Sequence, residues 1–281
     1  LLVADDAQST LFKWVAILTG SKNALKGIGF FLGGLLLSLY GFSMAILLML
    51  LMLAAVWLFS LWRLKADLGK SKTKPKFTEL LSKSRAINVL SGARMLLFGA
   101  RDVWFVIALP LTLASQFGWS HWEVGSFLAL WVIGYGAVQS VAPLLSGTKS
   151  SNAAANSRLP DGSTLTLWAL LLCAIPALIA VALEQQWHSE YALLAGLLLF
   201  GAVFAVNSSL HSYMIVSYAK IDGVSLDVGF YYMANAMGRL IGTVLSGWVY
   251  QQAGLAACLW ISSAMLVATV LVSLLLPRRH A

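Results

Sequence analysis

GSKNALKGIGFFLGG, Gly20 to Gly34, lies inside a run from Leu11 to Leu39. That run is long and apolar enough to cross a bilayer, which takes about 20 residues. Lys22 and Lys26 nevertheless stand near its middle. Four residues apart on a helix they stack on one face, with Gly29 and Gly33 continuing the stripe. An ammonium at mid-membrane depth costs about 2.5–3.5 kcal/mol on insertion scales, and two like charges one turn apart repel each other. A chain holding such groups there needs an anion, a carboxylate or a water-filled cavity to meet them.

The composition agrees with a membrane setting. Of 281 residues 59% are hydrophobic and only 11% charged, against about 25% charged in a soluble domain. The net charge of +8 could indicate nucleic acid, but the surplus falls mostly in loops on one side of the expected membrane, so no nucleic-acid partner is expected. Cys173 and Cys258 lie in different apolar segments without disulfide or metal spacing, and read as small core residues. The chain opens on Leu1 rather than Met with no signal peptide before the first span, so it is expected to be a fragment.

Hydropathy gives about eight spans, roughly 11–39, 44–62, 89–115, 122–145, 164–183, 190–218, 228–251 and 254–276. The expected fold is therefore an all-α membrane protein. Arg63, Lys65, Lys70, Lys72, Lys74, Lys76, Lys83 and Arg85 crowd the loop after the second span. Lys149 and Arg158 lie in the Ser/Asn/Ala-rich connector SGTKSSNAAANSRLPDGS, Lys220 near the sixth span, and Arg278 and Arg279 in the tail. The intervening loops YGFS, SQFGWSH, EQQWHSE and QQAG contain neither Lys nor Arg. By the positive-inside rule both ends of the chain are cytoplasmic. Trp14, Trp62, Trp119, Trp122 and Trp187 fit interface anchors. KPKFTELLSKSRAINVL reads either as a helix on the lipid surface or as a charged linker. Three parts result: 1–62 with two helices, 63–87 as a basic cytoplasmic linker, and 88–281 as a six-helix bundle.

Further polar groups are buried in the spans. Arg94, Arg101 and Asp102 lie in the third, Asn207 and His211 one turn apart in the sixth, and Asn235 and Arg239 one turn apart in the seventh. Arg94, within about two turns of the cytoplasmic end, is expected to snorkel. Lys22, Lys26, Arg101 and Arg239 are central. At about 3 kcal/mol each they amount to roughly 12 kcal/mol, comparable to a whole protein's net stability. Asp102 is the one central acid, and one acid cannot neutralise four bases. Either the helices enclose a polar cavity for an anionic solute, which we favour, or these groups pair and only hold helices together. Asp102 is expected in an ion pair, with proton coupling as its other possible role, and His211 in solute contact or packing. Gly29 with Gly33, Gly238 with Gly242, and Ala234 with Gly238 have small-xxx-small spacing, and Pro110, Pro143 and Pro176 are expected to bend their spans. HExxH, GxSxG, Walker and CxxC motifs are missing, so no enzyme, catalytic residue, cofactor or metal is expected.

Eight spans with a long basic loop after the second resemble the last two-thirds of a twelve-helix major facilitator transporter. On that resemblance the first two spans end the N-terminal half, the other six form the C-terminal half, and about four helices would precede them. The strings DDAQSTLFKWVAILTGSKNALKGIGFFLGG, KPKFTELLSKSRAINVLSGARMLLFGARDVWFV and WEVGSFLALWVIGYGAVQ further resemble its organoarsenical efflux branch, ArsJ. The resemblance implies export of 1-arseno-3-phosphoglycerate, arsenate resistance and a functional link to glyceraldehyde-3-phosphate dehydrogenase. It also implies a bacterial inner-membrane location and a monomer driven by the proton gradient. Lys22, Lys26, Arg101, Asn207, His211, Asn235 and Arg239 are the groups expected to meet such a solute. Physics alone says only that it is an anion.

Overall fold

A computed structural model describes residues 5–63, 84–146, 160–219 and 224–277 of the chain. Of the surface-helix stretch KPKFTELLSKSRAINVL (74–90), residues 74–83 lie outside those described, and 85–90 form the start of a helix with Ile87 and Leu90 buried. Most of the connector after Ser146, Lys220, Arg278 and Arg279 also lie outside. Among the described residues every regular element is a helix. They are α1 (Asp5–Arg63), α2 (Arg85–Phe105), α3 (Ala108–Ser115), α4 (His121–Ser140), α5 (Ala142–Leu145), α6 (Gly162–Glu184), α7 (Ser189–Tyr218) and α8 (Val224–Ser273).

The eight expected spans map onto these elements with two kinds of adjustment. The first and second run together as α1, and the seventh and eighth as α8. Each long helix is broken at a single glycine, Gly41 with φ 72° and Gly254 with φ 73°. Positive φ strains any L residue and leaves glycine unstrained, so the sharp bends fall where a glycine stands. The third and fourth expected spans are each split instead. α2 and α3 part at Val106–Ile107, ahead of Pro110, and α4 and α5 part at Val141, ahead of Pro143. A proline ring clashes with the carbonyl four residues back, here Val106 and Gln139, and removes one N–H from the ladder. Pro176, by contrast, is accommodated inside a continuous α6.

Contacts give the direction of each limb. Cys258 on the second limb of α8 reaches the carbonyl of Ser246 on the first, so α8 folds back on itself. Its first limb runs parallel to α2, with Gly238 against Met95, Gly242 against Gly99, and Ser246 accepting from the Ala108 N–H. Its second limb runs the other way, with Ser262 donating to the Ala100 carbonyl and Val272 facing Gly92. The first limb of α1 runs antiparallel to α4, from Gly20 beside Gly136 and Ser140 to Phe31 beside Trp122. α4 and α7 are parallel, Trp131 donating to the Leu197 carbonyl and Gln139 to Ser208.

Five stretches of the described residues are long and apolar enough to cross a membrane: Ser38–Arg63, Arg85–Ser115, Gly162–Glu184, Ser189–Tyr218 and Asp227–Ser273. The chain is an all-helical, multi-pass membrane protein. The second limb of α1 is exposed on nearly every face, Ala45 being its buried residue, as suits a helix facing hydrocarbon.

Small residues let the backbones approach, though at one site they are not the expected ones. Gly29 and Gly33 have nothing within 4 Å, since their face is open like that of the lysines. Gly20 and Gly27, on a different face, touch α4 instead. Gly238 and Gly242 do form a seam. A Cβ at Gly238 would strike the Met95 carbonyl oxygen and lie 2.7 Å from its carbon. Gly238→Ala is therefore expected to force α2 and α8 apart and cost about 1–3 kcal/mol, as overpacking does. A lowered melting temperature in detergent, with Gly29→Ala unchanged as control, is the measurement that checks it.

Candidate functional site

Between α1, α2, α4, α7 and α8 lies a cavity of about 420 Å³, within the usual size of small-molecule sites. Lys22, Lys26, Arg101, Asp102, Asn235 and Arg239 all line it. So do Asn23, Arg94, Ser208 and Ser212, with an aromatic wall of Phe98, Phe105, Trp131, Tyr135 and Tyr232. Each helix contributes because a polar residue sits on the face its neighbours leave open. In α2 the stripe is Arg94, Phe98, Arg101 and Phe105, spaced four, three and four residues apart, which is one helical face.

Asp102 is fully buried and shared by two guanidiniums. Arg101 Nε donates to one carboxylate oxygen at 2.6 Å and Arg239 Nε to the other at 2.9 Å. The Arg101 guanidinium also lies over the rings of Phe98, Phe105 and Phe204, 4.9, 5.9 and 5.4 Å from their centres. Such cation–π contacts fix a charge without cancelling it.

Arg94 departs from expectation. It is 4% exposed and does not snorkel. Its Nη1 donates to the Ser208 carbonyl (3.0 Å) and hydroxyl (3.1 Å), and its Nε to Asn235 Oδ1 (3.2 Å). The Phe98 ring centre is 3.9 Å from its guanidinium carbon. The helix turns this residue toward α7 and α8, and a position two turns from the helix end says nothing about that azimuth. The chain of bonds continues: Gln139 Nε2 donates to Ser208 Oγ (3.2 Å), and Asn23 Nδ2 donates to Gln139 Oε1 (2.6 Å). One polar relay therefore ties α1, α4, α7, α2 and α8 together.

The lysines are the least committed groups. Lys22 Nζ stands 5.9 Å from the Tyr232 ring centre, and among the described residues neither Lys22 nor Lys26 has a carboxylate partner. Lys26 lines the same cavity as Lys22, Arg101, Asp102 and Arg239.

Asn207 and His211 are not brought to the cavity. Asn207 is fully buried and donates to the Trp168 carbonyl of α6 at 2.8 Å and to the Val203 carbonyl at 3.2 Å. His211 is fully buried too, with no partner for either ring nitrogen among the described residues. Neither lines the cavity, and Asn207 is turned toward α6 instead. Arg94, Tyr135, Ser208 and Asn23, which do line the space, were passed over. The regular alternation of arginine and phenylalanine in α2 was the signal available for Arg94.

A family model described as Major Facilitator Superfamily matches residues 90–281. The chain belongs to the major facilitator superfamily. No curated protein and no solved structure matches it significantly. Membership makes this a membrane transporter. The matched segment takes in most of α2 and everything after it, so the α2, α7 and α8 walls of the cavity are major facilitator structure.

Proposed function

We propose that the chain is a secondary active efflux transporter of an organic anion, working by alternating access around this cavity. The observation behind the reading is charge. Five cationic side chains, Lys22, Lys26, Arg94, Arg101 and Arg239, line the cavity against the single carboxylate of Asp102, a formal surplus of four. In hydrocarbon that surplus is costly unless water or an anion meets it, and transporter sites lie near the midplane between helix bundles. Arginine supplies a planar fork suited to carboxylate or phosphate, and lysine a mobile point charge.

The preferred solute is 1-arseno-3-phosphoglycerate, which has acidic groups at both ends, and its export gives arsenate resistance. The long strings resembling the organoarsenical efflux branch support that choice. On this reading the protein sits in the bacterial inner membrane as a monomer, both ends cytoplasmic, driven by the proton gradient. Glyceraldehyde-3-phosphate dehydrogenase makes its substrate. An antiporter for another organophosphate is the nearest alternative. A non-transporting scaffold draws support from the engagement of Asp102 by two arginines and from the polar relay through Arg94, but leaves the two lysines without a purpose.

Everted vesicles from cells expressing the chain test the proposal. Energised vesicles are expected to accumulate arsenic when supplied with 1-arseno-3-phosphoglycerate and to take up little inorganic arsenate. Accumulation of 3-phosphoglycerate instead would move the assignment to an organophosphate carrier. Uptake of neither, with the protein present in the membrane, would sink it.

A further inference from the structure

Arg101 and Arg239 already have a carboxylate, but Arg94 does not. Its neighbours are a hydroxyl, two carbonyl oxygens and aromatic rings. Those bonds occupy Nε and Nη1, leaving Nη2 without a partner among the described residues. The side chain is almost wholly buried yet lines the cavity. A buried guanidinium without a counter-ion is among the more costly groups a membrane helix can hold. Ser208 and Asn235 hold it in one orientation, and Phe98 packs against it, so the fork cannot turn away to relieve itself.

We propose that Arg94 forms, with Ser208 and Asn235, an anion site of its own on the α2–α7–α8 wall, which takes a carboxylate or phosphate oxygen of the solute. The proposal rests on the anion-transport reading and adds a contact to it. Phe98 sets the geometry. Its ring centre lies 3.9 Å from the Arg94 guanidinium and 4.9 Å from that of Arg101. The two charges are thus no farther apart than those distances combined, and both pack on that one ring. A single solute can reach both. Arg94 meets it as an unneutralised charge, whereas Arg101 and Arg239 must share it with Asp102.

The test uses the full chain in nanodiscs of zwitterionic lipid, titrated with 3-phosphoglycerate and, as uncharged control, glycerol. Arg94→Lys keeps the charge and loses the fork, and is expected to weaken 3-phosphoglycerate binding about tenfold. Phe98→Leu keeps both arginines but removes the ring they pack on, and is expected to weaken binding severalfold while the lost core packing lowers the melting temperature by a few degrees. Should Arg94→Lys fail to fold, protection of Arg94 from phenylglyoxal by 3-phosphoglycerate in the parent chain gives the same answer by mass spectrometry. Parent-like binding by both variants, or modification of Arg94 that 3-phosphoglycerate does not slow, overturns the proposal alone. A parent chain that binds neither 3-phosphoglycerate nor, titrated the same way, 1-arseno-3-phosphoglycerate overturns it together with the anion-transport reading.

Discussion

Replacing Lys22 and Lys26 together with alanine is expected to abolish uptake of the anionic solute while leaving the amount of protein in the membrane unchanged. Both halves of that outcome follow from what the lysines touch. Neither has a carboxylate partner among the described residues, and Lys22 makes one long contact with a tyrosine ring. A cation–π contact at an accessible site is worth about 0.5–1 kcal/mol. Relief of repulsion between two ammoniums one turn apart returns a few tenths of that, about 0.2–0.5 kcal/mol. Folding therefore has little to lose. Binding has much to lose, because two of the five cavity cations disappear, and they are the ones contributed by α1. If the lysines served only to join helices, protein abundance would fall and specific uptake per molecule would hold. Full uptake by a well-expressed double variant would remove the lysines from the site.

The elements were more legible in the sequence than their faces. Apolar runs interrupted by YGFS, SQFGWSH, EQQWHSE and QQAG mark where helices end, because a lipid-spanning run is bounded by length as well as by polarity. Prolines at 110 and 143 mark local breaks for reasons internal to the backbone. Which face looks inward is a different question. In α1 the lysines mark it, since a charge cannot face lipid cheaply, and Lys22 and Lys26 do line the cavity. That same logic should have separated Gly29 and Gly33, which share the open lysine face, from Gly20 and Gly27, which touch α4.

α7 offers no such mark. From Phe204 to Ile215 every residue is buried, so hydropathy has no phase along that stretch and Asn207, Ser208, His211 and Ser212 are indistinguishable by pattern. Two of those four line the cavity and two do not. Ser208 is selected because it bonds with Arg94 and Gln139, partners more than sixty residues away in sequence. The charge surplus was legible and even understated, because Arg94 belongs to it.

Asp102→Asn is expected to move stability and anion binding in opposite directions. The carboxylate is fully buried, Arg101 is 13% exposed and Arg239 48%. Removing one member of a buried pair costs about 3–5 kcal/mol, because a charge is left without compensation. Solvent screens half-exposed Arg239, so the lower end applies here, about 3 kcal/mol. At roughly 2–4 °C per kcal/mol for a domain of this size, the melting temperature should fall by about 6–12 °C. Asparagine also turns an amide N–H₂ toward one of the guanidiniums it replaces an acceptor for. The cavity meanwhile loses its one acid, so an arriving anion no longer competes for Arg101 and Arg239, and affinity for 3-phosphoglycerate should rise. Adding Arg239→Gln to Asp102→Asn removes one uncompensated charge and should restore part of the lost stability, a coupling that a double-mutant cycle reads directly. A purely structural network predicts that stability and binding fall together in the single variant. Unchanged stability would mean that the buried carboxylate does not hold these arginines in place, and the charge argument for the cavity would then lose its one fixed counter-ion.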